Sequence, residues 1–186
     1  MLKLLPILSL IILFTACSHR DKSPKVSKQK TEQINVQPIT DAEIANALMT
    51  AETEGMNLSV LGREKASNLQ VKAFAEKMLS DHSMHNDKIT VLVQENQLTP
   101  KETKSSMEMK SSSETKVEEL KALTGNEFDK AFMTTQIEMH EDLLKEIDNT
   151  LIPNAQNGEL IAFLNTTRTT IDGHLKEARN INASLL

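Results

Sequence analysis

The chain has 186 residues, 39% hydrophobic and 25% charged, with a net charge of -5. That is enough to bury one good core with a tail to spare, in a chain that is neither disordered nor polytopic. The lack of Trp and Tyr, with five Phe, argues against base stacking or an aromatic sugar platform, and the single cysteine excludes a disulfide framework, a thiolate metal site and a Cys nucleophile in the domain.

Lys3 gives a short positive start to the apolar run Leu4 to Phe14, which is too short to span a bilayer. The run closes in LFTAC, with the small Ala16 just before Cys17. Residues 1–16 therefore read as a secretory signal peptide with a lipoprotein-type cleavage site, and Cys17 as the lipidated residue that tethers the protein to a membrane. Phe14 stands where a smaller aliphatic residue is usual. Ser18, rather than an aspartate, follows the cysteine, which resembles an outer-membrane sorting pattern. The predicted location is the cell envelope, lipid-anchored at the outer membrane and facing the periplasm.

Residues 17–38 are rich in Lys, Ser, Gln and Pro, with no apolar period, and read as a flexible spacer. Between Ser18 and Pro38 five basic side chains stand against two acidic ones, a net +3, whereas Ile39 to Leu186 carries 15 basic and 24 acidic side chains, a net -9. An acidic domain argues against a nucleic-acid partner, because that affinity comes mainly from Lys and Arg on phosphate. The partners this leaves are the membrane, through the lipid, and other envelope proteins.

Residues 39–186 are predicted to be all-α. Helix one begins at Thr40, with Glu43 completing a capping box, and follows Ile44, Leu48, Ala51, Leu58 and Leu61 to about Ala66. Ser67 with Gln70 makes a second capping box for helix two. Its apolar line runs Val71, Ala75, Met78, His82, His85, Ile89 and Leu92, stopping before Thr99-Pro100. Residues 101 to 113 are serine-rich, a long loop or a weak helix. Val117, Leu120 and Leu123 suggest a short extra helix that ends at Thr124-Gly125. Asn126 caps helix three, with Phe128, Phe132, Met133, His140, Leu143, Leu144 and Ile147 inward. After a turn region from Pro153 to Gly158, helix four places Leu160, Leu164, Ile171, His174, Ala178 and Ile181 on one face. Long helices with one-sided stripes and mostly short connections predict an antiparallel four-helix bundle.

Four of the five histidines fall on these stripes; His19 lies in the spacer. His82 and His85 are one turn apart on helix two. His82 and His140 lie near the middles of their helices, and His174 is a little past the middle of its own. Antiparallel neighbours cross at their middles, so the imidazoles can meet in the core, a natural site for Zn, Fe, Cu or Ni. Acids that could complete the site or orient its ligands are Glu54, Asp81, Asp129, Glu138, Glu141 and Glu177. The competing reading is a hydrogen-bonded packing network, and His85 is the one expected at the rim. Met84, Met107, Met109 and Met139 could add thioether ligands for Cu(I), although core filling is the commoner use of Met. Serines without a nucleophile elbow, and no Gly-rich phosphate loop, leave catalysis without a motif.

The segment from Val71 to Lys88 (VKAFAEKMLSDHSMHNDK) resembles the "FA..M..DH...N" signature of a bacterial family, domain of unknown function 4142, whose members are often called outer membrane proteins. Gly125, Phe128-Asp129 and His140 resemble its "G..FD...........H" segment, and Ile171 to Ala178 (IDGHLKEA) its terminal "H...A" helix. The resemblance covers roughly Asp41 to Asn182. It implies an exported, ferritin-like four-helix bundle without an established activity, and it carries over Asp81, His82, Asp129, His140 and His174 as the recurrent polar set. The acid usual on the family's first helix falls at Gly55, so that Glu54 or Asn57 would have to substitute. No Glu-x-x-His pair occurs: Leu79, His82, Ile137 and Ile171 stand three residues before the four core histidines, against the pattern of di-iron carboxylate sites.

The expectation is an envelope lipoprotein that binds a transition metal through His82, His140 and His174, with Glu54, Asp81, His85 and Asp129 as additional candidates. The alternative is a structural or protein-interaction lipoprotein with neither ligand nor catalysis.

Overall fold

The computed structural model describes residues 38–185. The expected signal peptide, Cys17 and the expected spacer lie outside the described residues, apart from Pro38. The described residues are all-α: α1 Asp41–Lys65, α2 Leu69–Glu95, α3 Lys104–Lys121, α4 Gly125–Glu146 and α5 Gly158–Ser184. None of these helices is long and apolar enough to cross a membrane.

Local chemistry accounts for the ends. Thr40 caps α1 in the predicted box with Glu43. The cap of α2 is Asn68, one residue beyond the predicted Ser67; its side chain accepts from the Gln70 and Val71 amides. Asn157 caps α5 in the same way. Residues 104 to 113 are helical, which decides between the two expectations for this segment in favour of helix and joins it to the expected short helix as one element. Thr103 and Ser106 form a capping box, and the helix runs unbroken to Lys121. Gly125 takes a left-handed φ of 59° as α4 opens, a conformation that costs glycine little. After Glu146 the chain widens into a π-helical turn, Ile147–Leu151, and then makes one more α turn, Ile152–Asn154. Pro153 lies in that turn; it has no N–H to donate and crowds the preceding carbonyls, and a widened turn relieves the crowding.

The core falls into two apolar clusters. One joins Ile44 and Leu48 of α1, Ile89 and Leu92 of α2, Ile147 and Leu151 of the π turn, and Leu160, Leu164 and Ile171 of α5. The other joins Leu58 and Leu61 of α1, Val71, Phe74 and Met78 of α2, Phe128, Phe132 and Met133 of α4, and Ala178 of α5. The start of α1 thus meets the end of α2, and the start of α4 meets the end of α5, so both pairs are antiparallel. Between the two clusters every long helix contributes buried polar residues: Glu52 from α1, His82 and His85 from α2, Gln136 and His140 from α4, and His174 from α5. Each is flanked along its own helix by one apolar cluster on either side. The helix α3 packs on α1 and α4, and its buried residues Ser106, Ser113 and Leu120 recur every seventh position.

Candidate metal centre

The polar layer brings three of the predicted residues together. The ring centroids of His82 and His140 are 6.2 Å apart, those of His82 and His174 6.3 Å, and those of His140 and His174 5.6 Å. All three rings are nearly buried, and each has one nitrogen committed to a protein oxygen. His82 Nδ1 lies 2.6 Å from Glu52 Oε2. His140 Nδ1 lies 2.7 Å from the Gln136 carbonyl, which can only accept, so that nitrogen carries the proton and Nε2 presents its lone pair. His174 Nε2 lies 2.9 Å from Asp81 Oδ2. The second nitrogens of His140 and His174, Nε2 and Nδ1, are buried without any hydrogen-bond partner.

Burial holds His140 neutral. Loss of solvent, with the neighbouring His82 adding to it, pushes its pKa down to about 3. Burial also lowers His174, against the opposing pull of Asp81. Burial alone would raise the Glu52 carboxyl, but hydrogen bonds from His82 and His85 outweigh it, and the group sits below its ordinary value. The layer therefore combines a carboxylate with two imidazoles whose neutral form, the form that ligates metals, is favoured.

Glu52 is the residue that sequence reasoning missed. It lies one turn before Gly55 on the same buried line of α1. Its signal is the buried line Ile44, Leu48, Glu52, Gly55, Ser59 and Gly62 at spacings of four and three. Gly55 makes room for the pair: a Cβ there would lie 2.6 Å from His82 Cε1 and Nε2, so the imidazole rests against the α1 backbone. Glu54 is buried too, but it lies toward α3, in a cavity wall, with only a 3.5 Å contact from Asn57 Nδ2.

The remaining predicted residues divide. Asp81 is hydrogen-bonded to His174. His85 is not at the rim: it is buried, lies 3.5 Å from Glu52 Oε1 and meets Phe163 edge-on. Asp129 is not near the imidazoles. Its carboxylate accepts from the Ser67 amide and hydroxyl and from the Asn68 amide, which pins the α1–α2 link to α4. Glu138, Glu141 and Glu177 are taken up by ion pairs with Lys116, Arg179 and Lys77. Met84 and Met107 are exposed, whereas Met109 and Met139 line the cavity beside His82 and His140. Among the described residues, no group of three or more His, Cys, Asp or Glu side chains is already arranged to hold a metal ion; the rings share a layer without closing on one point.

The family profile described as domain of unknown function DUF4142 matches residues 24–181. The chain belongs to the DUF4142 family. No curated protein matches it. Among solved structures, this DUF4142 chain is similar to a Streptomyces coelicolor protein described as a secreted DUF305 protein. The TM-score is 0.67 at 10% identity, with 78% of this chain and 93% of that chain covered. At that identity the likeness speaks to the helical fold alone.

Proposed function

We propose that this DUF4142 protein is a lipid-anchored envelope protein with a ferritin-like bundle that binds a transition metal ion between its two apolar clusters. The ligands are His82 Nε2, His140 Nε2 and His174 Nδ1; the oxygens of Glu52, Gln136 and Asp81 orient the rings from behind. The observation that carries the reading is the pair of buried, unpartnered nitrogens on rings 5.6 Å apart. Metal-ligating histidines commonly have one nitrogen fixed by a carboxylate or carbonyl and the other free for the metal, and buried polar atoms are otherwise nearly always paired. A zinc ion about 2.0–2.1 Å from three imidazole nitrogens in tetrahedral geometry sets ring centroids about 5.2 Å apart. The rings must therefore approach by about 1 Å and turn their free nitrogens toward one point.

The sorting-type cysteine, Cys17, carries the anchor in this reading, and the acidic domain faces the periplasm from the outer membrane on a basic spacer. The absence of Glu-x-x-His pairs argues against di-iron carboxylate chemistry. Zinc, iron and copper, with nickel beside them, are the candidates for an imidazole-rich site.

The second reading, a structural or interaction lipoprotein, is favoured by the fact that each ring already has one hydrogen bond and that the layer is not closed on a point. Metal content separates the two. Residues 39–186, purified without a histidine tag, are compared with the His82→Ala, His140→Ala, His174→Ala triple variant. Near-stoichiometric metal in the parent, lost in a variant that still folds, supports metal binding. Metal absent from both after reloading with Zn, Fe, Cu and Ni overturns it and favours the structural reading.

A further inference from the structure

A cavity of about 310 Å³ lies between α1, α3 and α4. Its walls are largely apolar, with Ala51, Leu58, Met109, Met139 and Leu143 among them. Two of its polar lining residues, Ser113 of α3 and Gln136 of α4, are each 2% exposed. Ser113 Oγ and Gln136 Nε2 have no hydrogen-bond partner. Buried donors left unpaired destabilise a fold, and both residues stand on the wall of one cavity, where a bound molecule can supply what the protein does not.

The chemistry of that molecule follows from the wall. An amide N–H and a hydroxyl, both able to donate, call for an acceptor. The wall carries the buried Glu54 and the rim Glu108, Asp142 and Glu146, against a single cation, Lys116, whose Nζ is 2.6 Å from Glu138. An anion would meet carboxylates with no free positive partner. A carboxylate or phosphate is thereby disfavoured, and an uncharged carbonyl group remains. The volume sits at the small end of ligand pockets, which suits a compact apolar body.

We propose that this cavity binds a small, uncharged carbonyl compound, its C=O accepting from Gln136 Nε2 and Ser113 Oγ and its apolar body packed on Leu58, Met109, Met139 and Leu143. His82 and His140 also line this cavity, but the proposed contacts use neither of their free nitrogens, so the inference does not need a bound metal.

The test uses the full-length chain stripped of metal, titrated with acetophenone, ethylbenzene and benzoate and followed by protein NMR shifts. A site built to hydrogen-bond its ligand rejects the analogue that lacks the partner group. Acetophenone is expected to bind at least about tenfold more tightly than ethylbenzene, and benzoate not at all. Gln136→Leu should reverse the preference toward ethylbenzene. Ser112→Phe, at an exposed lining position, should block the cavity and abolish binding without changing the helical spectrum. No saturable acetophenone binding, an unchanged preference in Gln136→Leu, or binding retained in Ser112→Phe would each overturn the proposal.

Discussion

Replacing Glu52 with alanine is the sharpest test of the polar layer. The carboxylate is 4% exposed, with one oxygen 2.6 Å from His82 Nδ1 and the other 3.5 Å from His85 Nδ1. Removing it strands two buried imidazole nitrogens at once and leaves a cavity beside Gly55. Breaking a buried pair by deleting one partner costs about 3–5 kcal/mol. For a domain of this size that lowers the melting temperature by about 10 °C. Glu52→Gln keeps an acceptor and loses the charge, so its cost should be smaller, about 1–2 kcal/mol. Urea unfolding of the metal-free protein, followed by far-UV circular dichroism, reads both variants. A double-mutant cycle with His82→Ala should return a coupling of about 2 kcal/mol. A Glu52→Ala variant within about 0.5 kcal/mol of the parent, the range of an ordinary surface change, would refute the claim that this carboxylate organises the layer.

Other perturbations have equally definite outcomes. Gly55→Ala should destabilise by about 1–3 kcal/mol through overpacking against His82, although alanine is the better helix former by about 1 kcal/mol; a stabilised variant in urea unfolding would contradict the contact. Asp129→Ala should cost about 2–3 kcal/mol, because three donors of the α1–α2 link lose their acceptor, while metal content stays at the parent level. His140 binds its proton at about 3 in the fold against an ordinary value of 6.5. Between those values the unfolded chain holds a proton that the native state does not, so stability falls as pH falls. From pH 7 to pH 5 the metal-free protein should lose about 2 kcal/mol on this account, with His174 adding the same sign and Glu52 adding to the loss below its ordinary 4.5. In urea titrations His140→Leu should flatten that slope.

Helix content was legible where apolar spacing and caps agreed. Thr40 with Glu43 marked the start of α1, and the stripes through Val71, Phe128 and Leu160 marked the three other long helices. The first half of α3 was ambiguous because two of the helix's three buried positions, Ser106 and Ser113, are serines, so its seven-residue repeat carries almost no hydrophobic signal. Ser67 with Gln70 imitated a capping box, but the cap is Asn68, which accepts from two amides without a box. The histidines were legible because an imidazole on an apolar stripe is conspicuous. Glu52 was not, because the stripe drawn through Ala51 and Leu58 passed beside it, and only packing shows that α1 buries two neighbouring lines. Asp129 reads locally as one more acid near a helix start. Its true partners, Ser67 and Asn68, lie more than 60 residues away, and no local pattern links them.

X-ray absorption on the zinc-loaded chain tests the metal reading most directly. The account predicts a first shell containing three imidazole nitrogens at about 2.0–2.1 Å, lost in the His82→Ala, His140→Ala, His174→Ala variant. A shell of oxygen atoms alone, or a spectrum that the triple variant leaves unchanged, would contradict it.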